Sequence, residues 1–172
     1  MFWLLACHHA GSGKVNLDTP KLEEYAGVED SLLMYTPLGE PEGATKMLRI
    51  SATEWEFRDG DFWRNAPEGE HFDWGLEGGL TVGGVVLLPE DLTVGGTAED
   101  ATITESGSWE GWYGTFPETL TVNIASGAWT GTAVFARNIG MIRYSRGGDW
   151  EMVYYEKGLS DSAPLDSGDS GG

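Results

Sequence analysis

Short segments in which apolar and polar residues alternate fill most of this chain, and glycine-rich breaks separate them. Leu120, Val122 and Ile124, for example, are spaced by single polar residues. The same two-residue spacing places Trp150 and Met152 on one side of a later segment. This period is typical of antiparallel strands with one face on a core. The pattern therefore predicts a mainly β protein.

The composition supports many tight turns between these segments. The 172 residues include 26 glycines and eight tryptophans, with no collagen-like period. The dipeptides Asp59-Gly60, Ser126-Gly127 and Gly147-Gly148 each lie between two alternating runs, which predicts hairpins there. The string Leu-Thr-Val-Gly-Gly occurs at 80–84 and again at 92–96. Both copies predict strands that run into glycine turns.

Together these signals predict about eight to ten short strands between roughly Leu32 and Glu156. We expect a curved antiparallel sheet that forms a half-barrel or a small barrel. Thr19-Pro20, followed by acidic residues, is typical of a helix N-terminus, and Gly27 would end that helix. At most one short N-terminal helix is therefore expected.

The final hairpin gives the sharpest prediction of side-chain orientation. Residues 142–144 and 150–155 should pair across the glycine turn between them. Trp150, Met152 and Tyr154 share one parity and are expected on the core face. Glu151 and Val153 are expected to face out to solvent or to pair across the sheet edge. A substitution of Glu151 should then change stability by no more than about 0.5 kcal/mol, as surface changes usually do.

A strong acidic excess excludes two classes of partner. Twenty-eight Asp and Glu oppose ten Lys and Arg, which gives a formal net charge of −18. Binding nucleic acid requires a basic face that neutralises phosphates, so no nucleic-acid partner is expected. Electrostatic docking on anionic lipid is disfavoured for the same reason. No apolar run approaches the length of a spanning helix, about 18 residues.

The acidic residues themselves do not predict a metal site. Between Asn65 and Ala136 the chain has eleven acidic residues and neither Lys nor Arg. We interpret this stretch as a solvated acidic surface that keeps a glycine- and aromatic-rich sheet soluble and opposes edge-to-edge pairing of strands. The string Asp59-Gly60-Asp61 begins like a calcium loop, but Phe62 stands where further oxygen ligands are needed. Neither a metal nor a cofactor is expected.

Two patterns resemble parts of known catalytic sites but do not indicate an active site in this chain. Gly168-Asp169-Ser170-Gly171 looks like the nucleophile motif of chymotrypsin-like proteases, but repetitive Asp/Ser/Gly sequence produces such a string easily. The segment around His71 resembles no protease histidine motif. Glu54 and Glu56, with other nearby acids, could supply a carboxylate pair for glycoside hydrolysis, yet nothing fixes their separation. We therefore expect no catalytic residues and no enzyme activity.

The single cysteine follows an apolar run. Phe2 to Ala6 are apolar, and small and polar residues follow Cys7. The string Leu4-Leu5-Ala6-Cys7 resembles the lipobox of bacterial lipoproteins, in which the signal is cut before a cysteine whose thiol receives a diacylglyceryl group. The resemblance implies a lipid anchor at Cys7 in the bacterial cell envelope, at the outer membrane, on either its periplasmic or its surface side. The alternative is a free thiol in a frayed end.

These features divide the chain into four expected parts. Residues 1–6 form a truncated signal-like segment, because their apolar stretch is shorter than a usual signal core. Residues 7–18 form a linker after the lipidated Cys7, and residues 19–158 form a single β domain. Residues 159–172 read as a flexible Asp/Ser/Gly tail that cannot bury a core.

Three internal segments are similar to landmarks in a group of bacterial lipoproteins with no established activity. They are Met34-Tyr35-Thr36-Pro37-Leu38-Gly39, the stretch from Leu87 to Gly96, and the stretch from Phe135 to Tyr144. The resemblance implies a curved antiparallel sheet similar to the periplasmic lipoprotein-carrier half-barrel. It implies no particular activity.

One aromatic segment is a candidate binding surface. Trp109, Trp112 and Tyr113 lie in a glycine-rich stretch and cannot all face one side of a strand. At least one is expected to be exposed, for a ligand or a partner.

Two hypotheses about function follow. The chain is either a lipid-anchored envelope protein without catalysis, acting as a surface component or by binding an envelope partner, or a periplasmic module that carries a lipid or other apolar ligand in the concave face of its sheet. A filled interior would favour the first hypothesis, and an open apolar interior the second.

Overall fold

Twelve antiparallel strands form one sheet in the computed structural model, which describes residues 19–40, 45–59 and 69–157. This confirms the predicted mainly β, curved antiparallel fold. The strands begin and end close to the predicted limits, at Ser31 and Glu156. Their bounds are β1 Ser31–Pro37, β2 Lys46–Ile50, β3 Glu54–Asp59, β4 Glu70–Gly75, β5 Gly79–Val82, β6 Val85–Pro89, β7 Thr97–Ala98, β8 Ala101–Gly111, β9 Gly114–Ile124, β10 Gly131–Ala136, β11 Gly140–Ser145 and β12 Asp149–Glu156.

The sheet is nearly closed and barrel-shaped. Its order is β6-β5-β4-β3-β2-β1-β12-β11-β10-β9-β8-β7, so the first strand pairs with the last. Strand β6 also packs against β8 and β9, which brings the two sheet edges together. The loop between β6 and β7 bridges the remaining gap. There the Gly95 N–H donates to the Ile103 carbonyl at 2.8 Å, and the Ile103 N–H donates to the Gly96 carbonyl at 2.9 Å.

A single turn of 3-10 helix, Leu22–Glu24, stands where the short N-terminal helix was expected. Gly27 follows it with a φ of +99°, a left-handed conformation that ends the turn. Over residues 19–40, 45–59 and 69–157, no helix has the length and apolar character needed to cross a membrane.

The barrel interior is filled by side chains. Tyr144 lies within an aromatic cluster, with ring centroids 4.9 Å from Tyr35, 5.7 Å from Phe57 and 5.8 Å from Trp129. Aliphatic residues fill the space around this cluster. The fully buried side chains include Leu33, Leu48, Ile50, Trp55, Leu80, Leu87, Leu88, Val122 and Phe135.

The two Leu-Thr-Val-Gly-Gly copies fold differently. The first is β5 followed by Gly83 and Gly84, which have φ of +58° and +78° and form the two-residue turn into β6. The second copy, at 92–96, forms a loop between β6 and β7. The prediction of a strand there is therefore wrong. The Asp91 carboxylate accepts hydrogen bonds from the Thr93 N–H at 3.1 Å and the Thr93 hydroxyl at 2.7 Å. Such local bonds favour a turn over a strand.

The other glycine signals have mixed outcomes. The turns at 126–127 and 147–148 are confirmed, since they join β9 to β10 and β11 to β12. At Asp59-Gly60, β3 ends at Asp59 but its partner β4 begins only at Glu70, so the connection is not a two-residue turn. Gly60, Asp61 and Phe62 lie outside the described residues, as do Cys7 and the 159–172 tail.

The final hairpin forms as predicted, with one error of orientation. Tyr144 pairs with Trp150, and both Trp150 and Met152 are buried. The β1–β12 register shifts between Met34 and Tyr35, so that Val153 is an unpaired bulge. This bulge reverses the parity after Met152. Tyr154 therefore faces outward and is 40% exposed, instead of facing the core as expected.

Candidate functional site

The predicted aromatic segment forms the tip of the long β8–β9 hairpin. Trp112 and Tyr113 are the two turn residues between the paired Gly111 and Gly114. Register shifts interrupt the β8–β9 ladder twice, between Ile103 and Glu105 and between Gly107 and Trp109. Such bulges bend and twist a hairpin, because one strand carries an extra residue. Strand β9 pairs with β10 over Thr119–Ile124, so the distal half of the hairpin extends past that ladder.

The hairpin packs on the outward face of β11 and β12. Arg143 and Glu151 are cross-strand partners that alternate with the inward-facing Tyr144 and Trp150. The Arg143 guanidinium lies 5.4 Å from the centroid of the Trp109 ring, a cation–π contact. The Trp112 N–H donates to Glu151 Oε1 at 3.3 Å. The body of the hairpin is thereby fixed to the barrel wall.

Glu151 is buried as a result, with only 6% of its surface exposed. The sequence correctly placed this side chain opposite the core, but the expectation that it faces solvent is wrong. The alternation of one strand cannot show that a distant hairpin covers its outer face.

Of the three predicted site residues, two are exposed. Trp112 is 57% exposed and Tyr113 is 45% exposed, while Trp109 is half-buried against Arg143. This confirms that at least one aromatic of the segment is exposed. The Tyr113 ring is stacked with Phe116, with centroids 6.3 Å apart and planes inclined by 14°.

Tyr154 is a third exposed aromatic on this side of the barrel, and the sequence pattern missed it. Its hydroxyl donates to Glu156 Oε2 at 2.9 Å, and this hydrogen bond is the main cause that raises the pKa of Tyr154. A smaller contribution to the same shift comes from Tyr113, which places the two phenols near each other. We call Trp112, Tyr113 and Tyr154 the tip patch.

Tyr155, next to the tip patch, is half-buried. Burial raises the pKa of Tyr155 from its usual value of 10.0 to about 12, and Tyr113 adds to this shift. The Tyr155 hydroxyl lies 3.5 Å from the Asn138 carbonyl, to which it donates a long hydrogen bond. The tip patch thus adjoins a half-buried aromatic side chain of β12.

A pocket of about 280 Å³ adjoins the patch. Tyr113, Phe116, Pro117 and Ile139 supply its apolar lining. Arg137 also lines it, but this guanidinium is held by Glu24 through two 3.0 Å hydrogen bonds and by Glu118 at 3.1 Å. The pocket therefore offers mainly apolar contact.

Acidic residues surround these aromatics. Glu110 flanks the tip on β8, Glu118 lines the adjoining pocket, and Glu156 accepts the bond from Tyr154. An apolar centre with a polar rim is the usual anatomy of a protein interface. The arrangement can hold an apolar group and can attract positive charge around it.

Glu54 and Glu56, the acids that could have supplied a carboxylate pair on β3, contact His71 and Arg58. His71 Nδ1 lies 3.3 Å from Glu54 Oε2, and His71 Nε2 lies 3.6 Å from Glu56 Oε1. Arg58 also contacts Glu56, at 2.5 Å. Within residues 19–40, 45–59 and 69–157, no group of three or more His, Cys, Asp or Glu could hold a metal ion.

Comparison of the chain with protein-family models, with curated proteins and with solved structures gives no match.

Proposed function

We propose that this chain is a lipid-anchored, non-catalytic component of the bacterial cell envelope that binds a protein partner through the tip patch. The observation that carries the proposal is the exposure of Trp112 and Tyr113 at the end of a hairpin fixed to the barrel wall. Trp and Tyr are the residue types most enriched among those that dominate interface energetics.

The hairpin is organised before any partner arrives. The Trp112 N–H bond to Glu151, the Trp109 contact with Arg143 and the Tyr113 stack on Phe116 restrict the tip. A restricted binding surface loses less conformational entropy on association. This favours a role for the tip in binding over a purely structural one.

The acidic charge around the tip patch indicates the charge of the partner. Glu110 and Glu156 flank the aromatics, Glu118 pairs with Arg137 in the adjoining pocket, and the chain carries a net charge of −18. Complementary potentials accelerate encounter and select partners. The partner proposed is a protein with an apolar socket and a basic rim.

The anchor rests on the sequence alone. Leu4-Leu5-Ala6-Cys7 resembles a lipobox, and Cys7 is the residue that would carry the acyl chains. The net charge of −18 opposes electrostatic docking on anionic lipid, so in this proposal the acyl chains on Cys7 attach the chain to the membrane.

The filled interior favours this function over carriage of an apolar ligand in the concave face. Trp55, Leu88 and Phe135 are each 0% exposed inside the barrel. A lipid at that position would have to displace close-packed side chains, which protein interiors resist.

Site-specific photo-crosslinking tests the proposed surface. A photoreactive residue at Trp112 or Tyr113 should give a discrete crosslinked species in bacterial membranes, and added salt should reduce its yield. Val94 is the matched control, since it is 56% exposed on the β6–β7 loop. Equal crosslinking from position 94, or none from 112 and 113, would contradict the proposal.

A further inference from the structure

A second pocket, of about 430 Å³, opens where β2, β3 and β4 meet the β11–β12 turn. Phe57 and Tyr144 form its apolar floor, Lys46 and Arg146 contribute two cations, and Asp59 and Glu70 provide two carboxylates. None of these residues belongs to the tip patch. The pocket is within the size range of small-molecule sites, about 300–1,000 Å³.

Aromatic rings hold both cations in place. The Arg146 guanidinium lies 4.9 Å from the ring centroid of Phe72, 5.3 Å from that of Trp129 and 5.9 Å from that of Phe57. Lys46 Nζ lies 4.6 Å from the ring centroid of Trp150. The two side chains are only 21% and 25% exposed. These cation–π contacts fix two positive charges in the pocket of a strongly acidic protein.

The two carboxylates are much more loosely placed. Asp59 pairs with Lys46 at 3.3 Å but is 81% exposed, and Glu70 pairs with Arg146 but is 62% exposed. Exposed ion pairs contribute little, because water and salt screen them and long side chains lose entropy in forming them. An anion that enters the pocket can therefore replace these carboxylates as the partner of the cations.

Tyr144 supplies a hydrogen-bond donor without a partner. The residue is 1% exposed, and within the described part of the chain its hydroxyl makes no hydrogen bond. Arg146 and Asp59, both pocket residues, are the charged groups that act on this phenol. Buried hydroxyls are usually satisfied, so an unpaired one on a residue that lines a pocket marks a place for a ligand atom.

We propose that this pocket binds the carboxylate of a small monoanion with a compact apolar body. The carboxylate lies between Lys46 and Arg146 and accepts a hydrogen bond from the Tyr144 hydroxyl. The apolar body rests on Phe57. A single negative charge fits best, because the rim carboxylates and the net charge of −18 repel a dianion.

Titration of the full chain with benzoate, followed by amide chemical shifts, tests the proposal. Benzoate should shift residues around Tyr144 and Arg146 and bind at least tenfold more tightly than benzamide, its neutral counterpart. Tyr144→Phe, which removes only the hydroxyl, and Lys46→Gln should each weaken benzoate binding about fivefold or more. Arg49→Gln, on β2 but outside the pocket, should leave it unchanged.

Four outcomes would overturn the proposal. They are no shift with benzoate, equal affinity for benzamide, unchanged affinity in both Tyr144→Phe and Lys46→Gln, or tighter binding of inorganic phosphate than of benzoate.

Discussion

The rings of Tyr35 and Tyr144 meet edge to face inside the barrel, with centroids 4.9 Å apart and planes inclined by 83°. Their hydroxyls differ sharply in environment. The Tyr35 hydroxyl donates to the Met141 carbonyl at 2.6 Å, whereas that of Tyr144 has no partner within the described residues. The two tyrosines therefore allow the effect of a hydrogen-bonded buried hydroxyl on the free energy of unfolding to be compared with that of an unbonded one.

Removing each hydroxyl should have different effects on stability. Tyr35→Phe should lower the free energy of unfolding by about 1–3 kcal/mol, because it breaks a buried hydrogen bond. Tyr144→Phe should leave it unchanged or raise it, since the hydroxyl it removes is unsatisfied. Urea denaturation of the two variants measures the difference. An equal loss in both variants would show that Tyr144 has a strong partner in solution.

The final hairpin gives a second test, because Trp150 and Glu151 are buried on opposite faces. Trp150→Ala should cost about 3–5 kcal/mol, as large core truncations do. Glu151→Ala should cost about 1–3 kcal/mol, because it removes the acceptor of the Trp112 N–H in a covered site.

Glu105→Ala is the control for Glu151→Ala, since Glu105 is exposed on the same hairpin and its loss should change stability by no more than about 0.5 kcal/mol. Urea midpoints compare the variants. If Glu151→Ala matched Glu105→Ala, the hairpin would not cover β12 in solution.

The buried tyrosines predict loss of stability at high pH. Burial raises the pKa of Tyr35, of Tyr144 and of Tyr155, the last to about 12 from a usual value of 10.0. The fold thus favours the neutral phenol. For Tyr155, this contribution to stability is complete below about pH 10 and is lost as pH rises through 12.

Chemical denaturation across this range should show that the free energy of unfolding decreases with pH. The decrease should be less steep for Tyr155→Phe than for wild type. A Tyr155→Phe curve parallel to that of wild type would argue that Tyr155 does not titrate with folding.

The proposed anchor predicts a simple fractionation result. Wild-type chain expressed in a bacterial host should partition with membranes, because several acyl chains on Cys7 give stable attachment. Cys7→Ala should release it to the soluble fraction. If the wild-type chain and Cys7→Ala were equally soluble, Cys7 would not carry a lipid anchor.

The sequence predicted the fold well because alternation and turn chemistry are local signals. Glycines at 83–84 and 147–148 mark real hairpins, and the strands span nearly the range expected. The sequence predicts about eight to ten strands, whereas the described residues form twelve, because short strands such as Thr97–Ala98 carry almost no periodic pattern.

The errors arise where tertiary structure overrides the local pattern. A bulge at Val153 turns Tyr154 outward, and the distant β8–β9 hairpin buries Glu151. The aromatic tip could be found from sequence, since three aromatics in a glycine-rich stretch cannot share one face. The second pocket could not be found from the sequence, because Lys46, Glu70 and Arg146 come from separate strands and turns.

Native mass spectrometry of the chain purified from membranes distinguishes a partner-binding protein from a lipid carrier. We expect the mass of the acylated chain without a non-covalent lipid, together with a bound protein that is lost in Trp112→Ala. The filled barrel predicts the absence of a non-covalent lipid, and the exposed tip patch predicts the bound protein. A retained lipid beyond the covalent anchor, with no effect of Trp112→Ala on any complex, would contradict it and would favour an apolar-ligand carrier.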